Sequence, residues 1–132
     1  MKPGEREIAE GQLLPIENQY QDREYKIHIC LPEFTCKCPR TGYPDFATID
    51  LLYIPDNYIV ELKSLKLYIN RFRDEYIFHE EAANRIIQDL VEALSPRWMR
   101  ITADFNPRGN VHTVVQCEFD RDKGYVLSDR MV

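Results

Sequence analysis

The hydrophobic rhythm of this chain changes period twice, and that change limits the fold more than any other feature. Over residues 24–31 the pattern alternates, with Tyr25, Ile27, Ile29 and Leu31 on one face and Glu24, Lys26, His28 and Cys30 on the other. A period of two is that of a half-buried strand, and Pro32 is read as its end. Residues 46–54 are again strand-like, and residues 58–61 read as a short strand after a turn at Pro55, Asp56 and Asn57. The period then lengthens. Leu62, Leu65, Ile69 and Phe72 recur at spacings of three and four, the stripe of an amphipathic helix. Ala83, Ile86, Ile87, Leu90, Val91 and Leu94 form a second such stripe over residues 80–94, stopped by Ser95 and Pro96. Alternation returns with Met99, Ile101, Ala103 and Phe105, a turn signal from Asn106 to Gly109, and then Val111, Thr113, Val115, Cys117 and Phe119. Strands, two helices, then strands predict an α+β domain with both helices on one face of an antiparallel sheet.

The 132 residues are one domain's worth of chain, with residues 1–23 read as a lead-in arm and 120–132 as a polar tail. A net charge of −5 argues against non-specific binding to nucleic acid or to a membrane surface, which needs a basic face. No run approaches the roughly 20 apolar residues of a membrane-spanning helix, and the start has no apolar signal-peptide core. A cytoplasmic location is therefore expected. The absence of GxGxxG or any phosphate-binding glycine loop argues against a Rossmann unit.

Between the first two strands, residues 32–45 (PEFTCKCPRTGYPD) hold three prolines, a glycine and two of the chain's four cysteines. A loop of that length in a small domain is functional or disordered. Cys38, flanked by Lys37 and Arg40, is a nucleophile if its surroundings favour the thiolate. It is equally read as a small buried hydrophobe, or with Cys36 as half of a metal site. The metal reading lacks a second closely spaced pair, since His28, His79 and His112 stand singly, and no metal is expected. Asp45 is either a turn-forming residue or an acid–base group beside the thiol. Lys63 and Lys66, three apart on one helix face, are a solvated surface or a grip on phosphate beside free helix N–H groups. Glu80 suits a helix start through the macrodipole, or pairs with the N–H edge of a purine.

The segment ELKSLKLY, Glu61 to Tyr68, resembles the signature of the NADPH-dependent 7-cyano-7-deazaguanine reductases at all eight positions. FTCKCPRTGYPDFATI resembles that family's catalytic segment, FRDEYIFHEEAANRIIQDL its substrate segment, and GNVHTVV fits near the end of the chain. The resemblance implies that Cys38 attacks the nitrile carbon to form a thioimide, with Asp45 as proton donor and His79 beside the reacting centre. It implies that Val60, Glu61, Leu62, His79 and Glu80 hold the deazaguanine, and that Lys63 and Lys66 bind NADPH as co-substrate. Two NADPH would be consumed per nitrile, in the route to the queuosine modification of tRNA. The implied fold is the tunnelling fold (T-fold), whose small subunits join sheets into a barrel on oligomerisation. Two stacked pentameric rings, with active sites between subunits, are expected, with no nucleic-acid or membrane partner. Some relatives carry a cysteine that can protect the nucleophile as a disulfide; that position is Ala82 here. Three other readings stand beside this one. They are an archaeal-type amidinotransferase acting on cyano-deazaguanine-modified tRNA without NADPH, a non-enzymatic metal- or nucleotide-binding module, and a pterin-type cyclohydrolase, whose Cys and His ligand set is not recognisable here.

Overall fold

The computed structural model describes residues 1–130. Its elements run α1 (Pro3–Glu10), β1 (Pro15–Glu17), β2 (Ile27–Lys37), β3 (Pro44–Ile54), β4 (Tyr58–Val60), α2 (Leu62–Asn70), a 3-10 turn (Arg71–Asp74), α3 (His79–Leu94), β5 (Trp98–Phe105) and β6 (Val114–Asp120). The expected order of strands, two helices and strands holds from β2 onward. A four-stranded antiparallel sheet has the order β2-β3-β5-β6, and β1 pairs with β4 in a separate two-stranded ribbon.

Alternation decides which sheet face is covered. Ala47, Ile49, Leu51 and Tyr53 of β3 and Met99, Ile101, Ala103 and Phe105 of β5 are all buried. Against them lie Leu65 and Ile69 of α2 and Ile86, Ile87, Leu90 and Leu94 of α3, also buried. Each Leu, Ile, Met or Phe among them contributes on the order of 1.5–3 kcal/mol by leaving water. This one-sided layer fixes the helices relative to the strands and so sets the rim from which the site is built.

The lead-in arm carries α1 and β1, neither of which the sequence reading assigned. Pro3 opens α1 at a position that needs no N–H, and the N–H of Gly11 closes it on Glu7 O at 2.9 Å. None of its residues is buried, so no apolar stripe announced it. Arg71 of the 3-10 turn donates to Gly11 O and ties the arm to the end of α2. A Cβ at Gly11 would lie 3.0 Å from Glu7 O and 3.1 Å from Leu67 Cβ, so a larger residue there would press on that docking. Part of the tail is also held. Ser128 N donates to Glu118 at 3.0 Å, and that buried carboxylate accepts from Trp98 and Arg100 as well. Residues 131 and 132 of the expected tail lie outside the described residues.

Pro32 does not end β2. The β2–β3 register shifts between Leu31 and Phe34, a bulge that absorbs the residue with no donor on an edge strand. The extra residue also exchanges faces. Before it the odd-numbered Ile27, Ile29 and Leu31 turn toward the core; after it Phe34 and Cys36 are buried. What reads in the sequence as a fourteen-residue loop is the end of a strand, a tip of residues 38–43 and the start of β3. At the other end β6 begins at Val114, so residues 111–113 belong to the β5–β6 hairpin rather than to the strand.

Candidate active site

Three segments far apart in sequence meet at one end of the sheet. The first is the β2–β3 hairpin tip. Cys38 N donates to Tyr43 O at 2.9 Å and Gly42 N to Cys38 O at 2.8 Å, and Gly42 has a φ of 75°. A left-handed residue with no Cβ penalty lets the chain double back there. The second segment is the approach to α3. Lys37 N donates to Glu75 O and Ile77 N to Lys37 O, so residues 75–77 run beside the end of β2 and deliver His79, the first residue of α3, to the tip. The third is the β5–β6 hairpin, held by the bond from Asn106 N to Phe46 O at 2.8 Å.

Between them opens a cleft of about 430 Å³ whose lining includes Cys38, Thr41, Asp45, His79, Glu80 and Arg108. That volume suits a small planar ligand. Asp45 is nearly buried at 8% exposure, and each carboxylate oxygen has a cationic or potentially cationic neighbour. His79 Nε2 lies 3.2 Å from Oδ2, and Arg108 Nη1 lies 3.2 Å from Oδ1. The His79 ring stacks on Phe105 at 3.7 Å and 6°, which fixes the imidazole plane while leaving its edge toward Asp45. Glu80 is exposed in the first turn of α3, and no hydrogen bond or ion pair engages its carboxylate among the described residues.

The two neighbouring cysteines have opposite chemistry. Cys36 is fully buried, and loss of hydration pushes its thiol up to about 12, aided by the nearby Asp45 charge. Cys38 opens on the cleft, and its thiol is held below its ordinary value. The Thr41 hydroxyl is the main cause, followed by the backbone N–H groups of Thr41 and Arg40; desolvation and Asp45 oppose them. The Thr41 side chain and the loop's backbone donors thus favour the thiolate. Lys37 is directed elsewhere, 4.0 Å from Asp74 and over the Tyr76 ring. All four cysteines are free, and Ala82 is packed in the core at 1% exposure.

The other expected site residues form a second group at the β4–α2 junction. Val60, Glu61, Leu62, Lys63 and Lys66 are not among the residues lining the cleft. Glu61 is the N-cap of α2: its carboxylate accepts from Lys63 N at 2.6 Å and Ser64 N at 2.9 Å. This corrects one expectation, since those helix N–H groups are already occupied and do not stand free for a phosphate. What remains for an anion is the pair of exposed ammonium groups of Lys63 and Lys66, neither of which is in an ion pair among the described residues. Two exposed cations three residues apart suit an anionic group through charge. Arg108 and Thr41 were not singled out from the sequence, and Phe105 was read only as an apolar strand residue. Arg108 lies inside GNVHTVV's preceding turn signal, and only the spatial closeness of that turn to Asp45 reveals it.

Fold and site together define a class: a small α+β domain carrying a thiol, a carboxylate and an imidazole on one cleft at the sheet's end. A sequence model of the QueF-like proteins matches residues 44–124. The chain is 62% identical over 116 residues to the NADPH-dependent 7-cyano-7-deazaguanine reductase of Nostoc, covering 88% of this chain and 85% of that one. It is 57% identical over 122 residues to the reductase of the same name from Synechocystis, covering 92% and 89%. With that from Aquifex aeolicus it shares 57% over 123 residues, covering 93% and 95%. The crystal structure of an archaeosine synthase QueF-Like in the apo form superposes with a TM-score of 0.67 at 20% identity, over 73% of this chain and 93% of that chain; the fold is that of the T-fold proteins. The chain belongs to the QueF-like family, within its NADPH-dependent 7-cyano-7-deazaguanine reductases.

Proposed function

We propose that this protein reduces the nitrile of 7-cyano-7-deazaguanine to an aminomethyl group, with Cys38 as nucleophile, on the route to queuosine in tRNA. The observation that carries the reading is the convergence of Cys38, Asp45 and His79 on one cleft. A nitrile carbon is a poor hydride acceptor. Addition of the Cys38 thiolate forms an S–C bond, and the π electrons move to nitrogen, which takes a proton from the Asp45–His79 pair. The protonated thioimide is electrophilic at carbon. Lys63 and Lys66 would hold NADPH, which would supply the hydride. The tetrahedral adduct then breaks its S–C bond and returns the thiolate, and a second round reduces the imine. Asp45 and His79 restore the proton balance at each stage. Glu80, whose carboxylate has no partner among the described residues, is the group that would meet the N–H edge of the base. Val60, Glu61 and Leu62 complete its binding.

The β4–α2 group stands apart from the cleft, and β2 and β6 leave two open sheet edges. Exposed Leu14, Ile16, Tyr58 and Leu62 lie on the ribbon and the start of α2. These features support a site completed across subunits of a homo-oligomer, two stacked pentameric rings closing the edges. In this reading residues 1–132 form a single domain working in the cytoplasm; no helix among the described residues is long and apolar enough to cross a membrane. The amidinotransferase reading is not favoured, because relatives sharing 57–62% identity are named as NADPH-dependent reductases. The test is mass measurement of protein mixed with 7-cyano-7-deazaguanine. The wild type should gain the mass of one nitrile and Cys38→Ala should gain none; an adduct on the variant removes Cys38 as nucleophile. Oxidation of two NADPH per nitrile separates reduction from amidine transfer.

A further inference from the structure

We infer that Arg108 is a positioning residue that divides the two oxygens of Asp45 between separate tasks and confines proton transfer to the oxygen facing His79. The inference rests on the reading of Asp45 as the group that moves protons. Arg108 Nη1 lies 3.2 Å from Asp45 Oδ1, and Nη2 donates to Pro44 O at 2.8 Å. One guanidinium thus spans the side chain of Asp45 and the carbonyl of the residue before it. The fork fixes the carboxylate against its own backbone, which a single ammonium does not do.

A guanidinium has donors and no acceptor. Oδ1 facing it remains an acceptor in every state of the reaction, because a proton there would point at another donor. A proton carried by Asp45 therefore resides on Oδ2, and the group across from Oδ2 is His79 Nε2 at 3.2 Å. When the carboxyl is ionised, Nε2–H donates to Oδ2; when it is protonated, Oδ2–H donates to a neutral Nε2. Phe105, stacked on the ring, keeps Nε2 in line for both. In thioimide formation the thiol proton is taken up by this pair, the S–C bond forms, and the nitrile nitrogen receives a proton from Oδ2. No external reactant is needed.

The backbone of Arg108 is itself fixed. Arg108 N donates to Val111 O at 2.9 Å and Val111 N to Arg108 O at 3.0 Å, with Gly109 and Asn110 at φ of 55° and 68°. Two left-handed central residues make a type I′ hairpin turn. That turn aims the guanidinium back over Tyr43 and into the cleft. The hairpin tip serves the acid of the first hairpin, a link the sequence shows only as a turn.

The test follows thioimide formation by its ultraviolet band, without NADPH, across pH in the wild type, Arg108→Met and Arg108→Lys. Arg108→Met should slow adduct formation by on the order of 10- to 100-fold, the cost of a misplaced proton donor. Equilibrium binding of the nitrile to a Cys38→Ala background should change little. Arg108→Lys should restore part of the rate through its charge but not the full rate, having lost the fork. A wild-type rate in Arg108→Met overturns the inference, including the case in which only the KM for NADPH rises and Arg108 is a cofactor contact. If Arg108→Met folds poorly, Arg108→Lys decides by itself, and a full wild-type rate there overturns the inference. Failure of the wild type to form any adduct would instead sink the reading of the site.

Discussion

The cleft around Cys38 and the junction around Glu61 are built on opposite plans. The junction is local: within residues 58–68 a strand ends, Glu61 caps the next helix, and Ser64 returns a bond to Glu61 O. Distant help comes from the arm: β1 pairs with β4, and Leu14 accepts from Glu61 N and donates to Ser64 Oγ. The cleft is the reverse. Cys38, His79 and Arg108 come from three segments, and the two groups that touch the Asp45 carboxylate, His79 and Arg108, both lie far from it in sequence. A local arrangement survives loss of distant packing, whereas a convergent one depends on every hairpin that feeds it. Chemistry in which a thiol and a proton donor must act on one carbon needs convergence; a charge that grips a phosphate does not.

Substitutions can break or sharpen this contrast. The largest effect belongs to Asp45→Asn, which keeps shape but removes the titrating oxygen. The rate of thioimide reduction should fall on the order of 10²- to 10⁴-fold in single-turnover assays, while the global melting curve stays close to wild type. A smaller loss would return Asp45 to a structural role. Next, the Lys63→Ala, Lys66→Ala pair should raise the KM for NADPH by roughly 10-fold, about 1.4 kcal/mol of binding, and leave adduct formation in the absence of NADPH unchanged. An unaltered KM would detach the junction from the cofactor.

A different signature is expected of Glu61→Ala. Loss of the cap should cost about 1 kcal/mol of stability, read as a lower denaturation midpoint. A cleft variant such as Thr41→Val should leave the midpoint nearly fixed. Its effect should appear in thiol titration instead. Because Cys38 is held below its ordinary value, its alkylation by iodoacetamide should persist to lower pH than that of an ordinary cysteine. Removing the Thr41 hydroxyl should move that profile upward. Cys36, raised to about 12, should stay unlabelled at pH 8 in the native protein, and labelling of both cysteines would abolish the distinction drawn between them.

Much of this protein is written in its periodicities. Alternation over β2, β3, β5 and β6 and the two helical stripes determine an antiparallel sheet covered on one face, because a strand or helix must bury its apolar side against something. The residues of the junction are equally legible, as their contacts lie within a turn or two of helix. Cys38 and Asp45 could be named as chemistry-bearing, with the Glu61–Tyr68 match giving them a common purpose. Other features were decided only by tertiary structure. The bulge at Pro32 turned an apparent loop into strand and sent Cys36 inward, a choice made by pairing with β3. Helix α1 forms without an apolar stripe because Arg71 anchors its end. The role of Arg108 depends on a hairpin tip meeting a carboxylate 63 positions earlier. Sequence pattern reports what each segment must bury. Which segments then meet is set by strand order and turn geometry, and the Asp45 carboxylate takes its partners from that meeting.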